Sequence, residues 1–467
     1  MKDLRKNLKH MTWFLAALFV ALAGYFVYVA AIEADDFIAN PFNARVAVGH
    51  EDMRRGTIYD ANGIPIAESV YSETQGRYLR QYPFGAIFAH TVGYSGMSRA
   101  GLELSRNFAL YRLNWEIVQR AMYVTAGQEL RANSIVTTFD ADLQQMIFDV
   151  LGTSRGAVVV LDPTTGAVLA MVSTPSFNPN YLTENWSALT ADTYNSPLLN
   201  RATQGLYPPG STFKVVTAVA ALNYDAALLD FVFECTGHAH FDGETIQCWG
   251  GNAHGTVDMH RAMAVSCNGY FAVLADMIGA EPIIRAAEQL MFNDAIPFEL
   301  PANMSLFPMG EAPAIDELIQ TAIGQGRTTA TPLNMALIAA SIANGGTVMM
   351  PYMVDGMQSG FGNMTNTTTP RRMEQVMDTS MAALLNEMLI EAVNTGTGTP
   401  AALGHVQVAG KTGTAQNATG VDHSWFIGYA PAENATVALA IIIENTGGGT
   451  RATQLAGQIF DFVVEND

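Results

Sequence analysis

Beyond Lys9 the chain keeps only two lysines, Lys214 and Lys411, and each sits in a short motif that can do chemistry. Ser211-Thr212-Phe213-Lys214 is an S-x-x-K, Ser266-Cys267-Asn268 is an S-x-N, and Lys411-Thr412-Gly413 is a K-T-G. Every other positive side chain past the N-terminus, histidine aside, is arginine. Arginine cannot release its proton near neutral pH, whereas a desolvated lysine can. A chain that otherwise avoids lysine reads as needing an ammonium group at these two places.

A serine hydroxyl is a poor nucleophile until a base removes its proton, and a lysine of lowered pKa can be that base. Lys214, three residues beyond Ser211, shares its helix face. Lys411 is available as a second positive charge. The backbone N–H groups of Ser211 and Thr414 are candidate oxyanion donors, each worth about two to three orders of magnitude in rate. The hydroxyls of Thr412 and Thr414 can hold a carboxylate beside Lys411. Gly413 is expected to let a ligand's backbone come close. Taken alone, Ser211 would read as a helix N-cap and K-T-G would be weak; the order of all three motifs carries the argument.

These groups need positioning. Tyr207-Pro208-Pro209-Gly210 holds the chain out of helix, so Ser211 stands at a helix start, where the dipole favours negative charge on its oxygen. Helical stretches are expected at Thr212–Leu222, Arg261–Leu274 and Pro332–Ala343, with a closing amphipathic helix at Arg451–Val464. Ala157–Leu161 and Val168–Val172 flank the turn Asp162-Pro163-Thr164-Thr165-Gly166 and read as a hairpin. Val406–Ala409, Ser424–Ala430 and Thr436–Ile443 read as three further strands. Strands from both ends with helices between them predict one sheet built from the two chain ends and covered by helices, an α+β catalytic domain over residues 151–467. Met364-Thr365-Asn366-Thr367-Thr368-Thr369-Pro370 reads as an exposed loop.

Residues 1–10 carry Lys2, Arg5, Lys6 and Lys9 against Asp3, and Met11–Ile32 then runs without a charge, long enough to span a bilayer. Glu33, Asp35 and Asp36 follow. Bases before the span and acids after it predict a cytoplasmic tail (1–10), an uncleaved single-pass anchor (11–32) and an extracytoplasmic remainder. Residues 33–150 read as a small mixed α/β pedestal, with a turn at Asn62-Gly63 and helices at Glu116–Tyr123 and Asp142–Leu151. The formal charge is −19 despite the basic start. An acidic ectodomain without a basic run argues against nucleic-acid binding.

Cys235, Cys248 and Cys267 are the cysteines. Outside the membrane Cys235 and Cys248 are the natural disulfide couple. A metal site using these two with His254, or free thiols, are the alternatives, and no cofactor is assigned. Cys267, inside the S-x-N, is not expected to take a structural role. Cys235 and Cys248 lie outside the motifs, so their oxidation state is not expected to touch catalysis directly.

The chain resembles the class B penicillin-binding proteins, whose named motif set is S-x-x-K, S-x-N and K-T-G. The likeness continues through Gly156–Pro163, Asn200-Arg201-Ala202, Ile323-Gly324-Gln325-Gly326, Thr331-Pro332-Leu333 and His423–Pro431. Asn40–Arg45 and Arg55-Gly56-Thr57-Ile58 are similar to the short, division-associated members. The resemblance implies a penicilloyl-serine-transferase fold, a central antiparallel sheet covered by helices, and D,D-transpeptidation of peptidoglycan stem peptides. Ser211 would be acylated by substrate or by β-lactams, and Lys214 would take its proton. Ser266 would relay a proton to the leaving amine, Asn268 would bond the substrate amide, and Lys411 with Thr412 and Thr414 would hold the terminal carboxylate. It also implies a partner, a membrane glycan polymerase of the shape, elongation, division and sporulation class. A membrane-anchored serine β-lactamase and a non-catalytic β-lactam receptor share the motifs. A bifunctional enzyme with its own glycan-polymerising domain finds too few residues before Gly156.

Overall fold

The structure is a computed structural model that describes residues 2–29, 54–96, 98–111 and 132–466. The expected helix Glu116–Tyr123 and the segment Asn40–Arg45 lie outside the described residues. Lys2–Tyr28 is one helix, and its stretch Lys6–Tyr28, with a mean hydropathy of 1.8, is long and apolar enough to cross a membrane.

The central sheet has five antiparallel strands in the order Ala409–Ala415, His423–Ala430, Val437–Ile443, Gly156–Leu161, Val168–Thr174. The two chain ends therefore meet in one sheet, at the pairing of Val437–Ile443 with Gly156–Leu161. Both faces are covered, which is why the central strands Val437–Ile443 and Gly156–Leu161 are apolar throughout rather than alternating. Val158 and Val160 pack with Ile459 and Phe460 of the closing helix Thr450–Asn466, whereas Ala157, Val159 and Leu161 face the core that holds Leu333 and Leu337 of Pro332–Ala343. Each such valine contributes roughly 1.5–3 kcal/mol by leaving water.

A second, six-stranded sheet builds the pedestal in the order Met364–Thr365, Val354–Gln358, Ser134–Thr137, Ile58–Tyr59, Pro65–Ser72, Arg77–Gln81. Gly63, at φ +82°, makes the expected turn between Ile58–Tyr59 and Pro65–Ser72. Two of the strands come from the catalytic half of the chain. The run expected to be only a loop thus begins as an edge strand, because Met364 and Thr365 pair with Gln358 and Met357. At the pedestal's centre Glu103 is fully buried. Arg55 Nε donates to its Oε2 at 2.7 Å and Arg80 Nε to its Oε1 at 2.6 Å. Burial pushes the Glu103 carboxyl up, but the two guanidinium groups outweigh it and hold the pKa below the usual carboxylate value.

Candidate active site

Ser211 lies in a single turn of 3₁₀ helix, Gly210–Phe213, which runs into the helix Lys214–Tyr224. Pro208 and Pro209 cannot donate backbone hydrogen bonds, so their carbonyls tie the turn down. Trp425 Nε1 donates to Pro208 O at 2.9 Å, and Thr212 Oγ1 donates to Pro209 O at 2.7 Å. Gly210 sits at φ +54°, and a Cβ there would lie 2.5 Å from Thr414 O. Only glycine brings the Ser211 turn this close to the K-T-G strand.

The stretch expected as one helix, Arg261–Leu274, is two, Met259–Ala264 and Asn268–Ile278. The break is Ser266, whose φ of +57° is costly for a residue with a Cβ and is held by its surroundings. The break turns the S-x-N toward Lys214. Lys214 Nζ donates to Ser266 O at 2.7 Å, to Ser266 Oγ at 3.1 Å and to Asn268 Oδ1 at 2.7 Å. The Asn268 amide in turn donates to Gln247 O at 2.9 Å.

Lys214 is fully buried, and that desolvation lowers its pKa to about 8 against the weaker upward pull of Cys267 and Cys248. The second cation foreseen from sequence is not the cause. Lys411, also fully buried, is itself held well below its ordinary value, by burial first and by Lys214 second. Its Nζ donates to Thr412 O at 3.1 Å.

K-T-G lies within the strand Ala409–Ala415, not after one at 406–409. Thr412 and Thr414 line the cleft. Gly413 does not leave room for a ligand. A Cβ there would lie 2.9 Å from Trp425 Cβ and 3.0 Å from Pro209 O, so the glycine serves contact with the Ser211 turn. Sequence reasoning missed Thr397, whose Oγ1 lies 2.6 Å from Thr412 Oγ1, and Gln325, whose Nε2 donates to Thr414 O at 3.3 Å. The alternating threonines and glycines of Thr395–Thr399 were the available signal for the first. Ser211, Ser266, Asn268, Thr412 and Thr414 share one cleft of about 700 Å³, with Trp249 at 72% exposure on its wall. An open cleft walled by hydroxyls and amides, with two amines beneath it, suits an extended peptide ending in a carboxylate.

Behind Ser211, Glu444 collects three partners. Arg201 Nε donates to its Oε1 at 2.8 Å, Tyr207 Oη donates to the same oxygen at 2.9 Å, and Arg155 Nε approaches Oε2 at 3.2 Å. The segment Asn200-Arg201-Ala202 thus acts through the strand end at Glu444, supporting the turn that follows Tyr207.

Residues 156–461 match the penicillin binding protein transpeptidase domain, and residues 55–135 match the penicillin binding protein A dimerisation domain. The chain belongs to the penicillin-binding protein transpeptidases. Among penicillin-binding protein relatives, the peptidoglycan D,D-transpeptidase PbpA of Mycolicibacterium smegmatis is 33% identical, over 96% of this chain and 95% of its own. The peptidoglycan D,D-transpeptidase MrdA of Acinetobacter baumannii is 32% identical over 84% of this chain and 66% of its own. The imipenem acyl-enzyme structure of penicillin-binding protein A from M. tuberculosis superposes with a TM-score of 0.82 at 31% identity, covering 89% of this chain and all of the other.

The cysteines depart from expectation. Cys235 Sγ lies 3.7 Å from Cys248 Sγ, so the couple is not a disulfide, and all three thiols are free. Cys267 joins the cluster at 3.8 Å from Cys248 Sγ while its sulfur accepts from Tyr270 N as the cap of Asn268–Ile278. The S-x-N cysteine therefore does have a structural place. The hydrogen bond from the Cys267 thiol draws the Cys248 thiol down toward the thiolate.

Proposed function

We propose that this chain is a serine-type peptidoglycan D,D-transpeptidase held by one membrane span, with its N-terminus in the cytoplasm and its catalytic domain outside. The observation that carries the reading is the Lys214 amine, lowered to about 8 and bonded to both polar residues of the S-x-N, one step along the helix from Ser211. A lysine with that pKa is a competent base near neutral pH, and it regains its proton as readily.

Lys214 accepts the Ser211 hydroxyl proton as Oγ attacks the penultimate D-alanine carbonyl. The oxyanion meets the backbone N–H groups of Ser211 and Thr414. The C–N bond breaks, Ser266 relays the proton to the departing amine, and terminal D-alanine leaves. An amine of a second stem peptide then attacks the ester, Ser211 recovers its proton and the crosslink is made. Lys411, with Thr412, Thr414 and Thr397 around it, receives the substrate's terminal carboxylate, whose charge raises the amine's pKa back toward the ammonium form. β-Lactams present the same carbonyl and carboxylate and acylate Ser211 without a leaving group that diffuses away.

Crosslinking needs glycan strands supplied by another protein, so a membrane polymerase of the shape, elongation, division and sporulation class is the proposed partner, and cell division the proposed setting. Arg55 is buried against Glu103 and is not available for contact with such a partner. Ile64 and Tyr71 on the pedestal are exposed. The decisive experiment supplies the full-length chain in detergent with a polymerase and lipid-linked precursor and follows products by mass spectrometry. Crosslinked dimers with release of D-alanine, lost in Ser211→Ala, are expected. Benzylpenicillin turnover faster than about one per second with no crosslinks would replace this reading with a β-lactamase.

A further inference from the structure

Among the described residues, Asp422 is the one aspartate, glutamate, lysine or arginine on the wall of the cleft. Lys214 and Lys411 lie fully buried beneath that wall. Asp422 is half-buried, and its carboxylate makes no hydrogen bond or ion pair with any described residue. Its backbone, by contrast, is held. Thr446 N and Gly447 N both donate to Asp422 O, at 2.9 and 3.1 Å. The position is therefore fixed without help from the carboxylate, which is left facing the cleft with its charge unanswered.

Its place along the sheet says which part of a substrate it meets. Ala409–Ala415 is an edge strand, and Thr412, Thr414 and, just past its end, Gln416 alternate along one face and line the cleft. Ala415 pairs with His423, so Asp422 lies beside the exit of that strand, beyond Thr414. In the reaction set out above, the terminal carboxylate is received around Lys411 and Thr412, and the reacting carbonyl lies at the backbone N–H groups of Ser211 and Thr414. A peptide lying along this edge then reaches Gln416 and Asp422 with the residue that precedes its D-alanine pair. Two strand positions span roughly 7 Å, the reach of one extended residue and its side chain. The space is open there, since a Cβ on Gly447 or Gly448 would meet nothing within 4 Å.

We propose that Asp422 is a specificity-determining residue, whose carboxylate pairs with a primary ammonium group on the acyl-donating stem peptide, carried by the residue before the D-alanine pair. The inference rests on the function proposed above and names the class of peptide that the cleft selects, one with a free side-chain amine. An amine held against Asp422 is protonated and roughly 7 Å from the reacting carbonyl, so it is not the amine that attacks. The attacking amine belongs to the second peptide, and the pair with Asp422 keeps the two roles apart.

The test uses the full-length protein in detergent and two penicillins that differ only at the end of a flexible acyl side chain. One ends in a primary amine and the other in its N-acetyl derivative. Ring and carboxylate are shared, so the ratio of their second-order acylation rates reads the side chain alone. At pH 7 the amine is charged, and the parent protein should favour it by roughly fivefold or more. Raising the salt from about 0.05 to about 1 M should shrink that ratio. Asp422→Asn keeps the size and the backbone bonds and should bring the ratio to about one, whereas Asp422→Glu should hold it above one. A merely structural role for Asp422 would slow both penicillins and leave the ratio standing, which overturns the inference. A parent ratio near one overturns it as well, while acylation that depends on Ser211 leaves the proposed function in place. Acylation that persists in Ser211→Ala would overturn that function, and this inference with it.

Discussion

Lys214 donates to Asn268 Oδ1 at 2.7 Å, so the lysine of the S-x-x-K and the asparagine of the S-x-N are one hydrogen-bonded unit before any substrate arrives. The amide oxygen stabilises whichever form of the amine bears the donated proton without adding charge of its own. Burial, against the weaker upward pull of Cys267 and Cys248, then brings the lysine down to about 8.

The acylation rate should therefore rise with pH, about tenfold per unit below an inflection near 8, and level off above it. Asn268→Asp would place a carboxylate beside the ammonium, favour the protonated form and move the inflection upward. Stopped-flow acylation by nitrocefin between pH 5.5 and 9.5 reads both. An unmoved inflection in Asn268→Asp would mean that another group titrates.

Lys214→Arg should be as inactive as Lys214→Ala, about 10²- to 10⁴-fold below the parent, because arginine carries charge but cannot accept a proton. Acylation near the parent rate would remove Lys214 from the role of base.

Intact-protein mass spectrometry with benzylpenicillin should show a single, slowly hydrolysed adduct, absent in Ser211→Ala. Among the motifs, Ser211 has a lysine three positions on at the wall of the cleft. A second labelled serine would contradict this.

Glu444→Ala should destabilise the protein by about 3–5 kcal/mol, since it leaves the buried guanidinium of Arg201 without its carboxylate. Glu444→Gln should lose less, as the amide oxygen can still accept from Tyr207 Oη or Arg201. Denaturant melts of the two variants give the order; equal losses would show that charge is not what the site needs.

Acid should destabilise the fold partly through His90. Its pKa is lowered to about 4, chiefly by burial, while its Nε2 sits 2.9 Å from Pro197 O. A depressed histidine takes up its proton in the unfolded chain first, so its contribution is complete above about 6.5 and is lost as pH falls from there toward 4. The loss by pH 4 is on the order of 3 kcal/mol. His90→Gln should flatten that part of the stability–pH curve; an unchanged curve would assign the loss to other groups.

The residue types alone pointed to the chemistry. A serine three residues from a lysine, in a chain otherwise nearly free of lysine, carries its meaning locally, because a helix turn brings positions i and i+3 together whatever the rest of the fold does. Apolar runs such as Ala157–Leu161 and Pro332–Ala343 were equally legible, since full burial leaves no other composition open to them. What the sequence could not carry was everything decided by approach between distant segments. The helix expected over Arg261–Leu274 breaks at Ser266 because Lys214, 52 residues earlier, captures that turn. Gly413 is a glycine for Trp425 and Pro209 rather than for substrate. Cys267, set aside as a bystander in its motif, meets Cys235, Cys248 and His254 only once two hairpins fold beneath it. Spacing along a chain fixes neighbours within a helix or a turn. Which sulfurs share a point in space is fixed by how those elements pack.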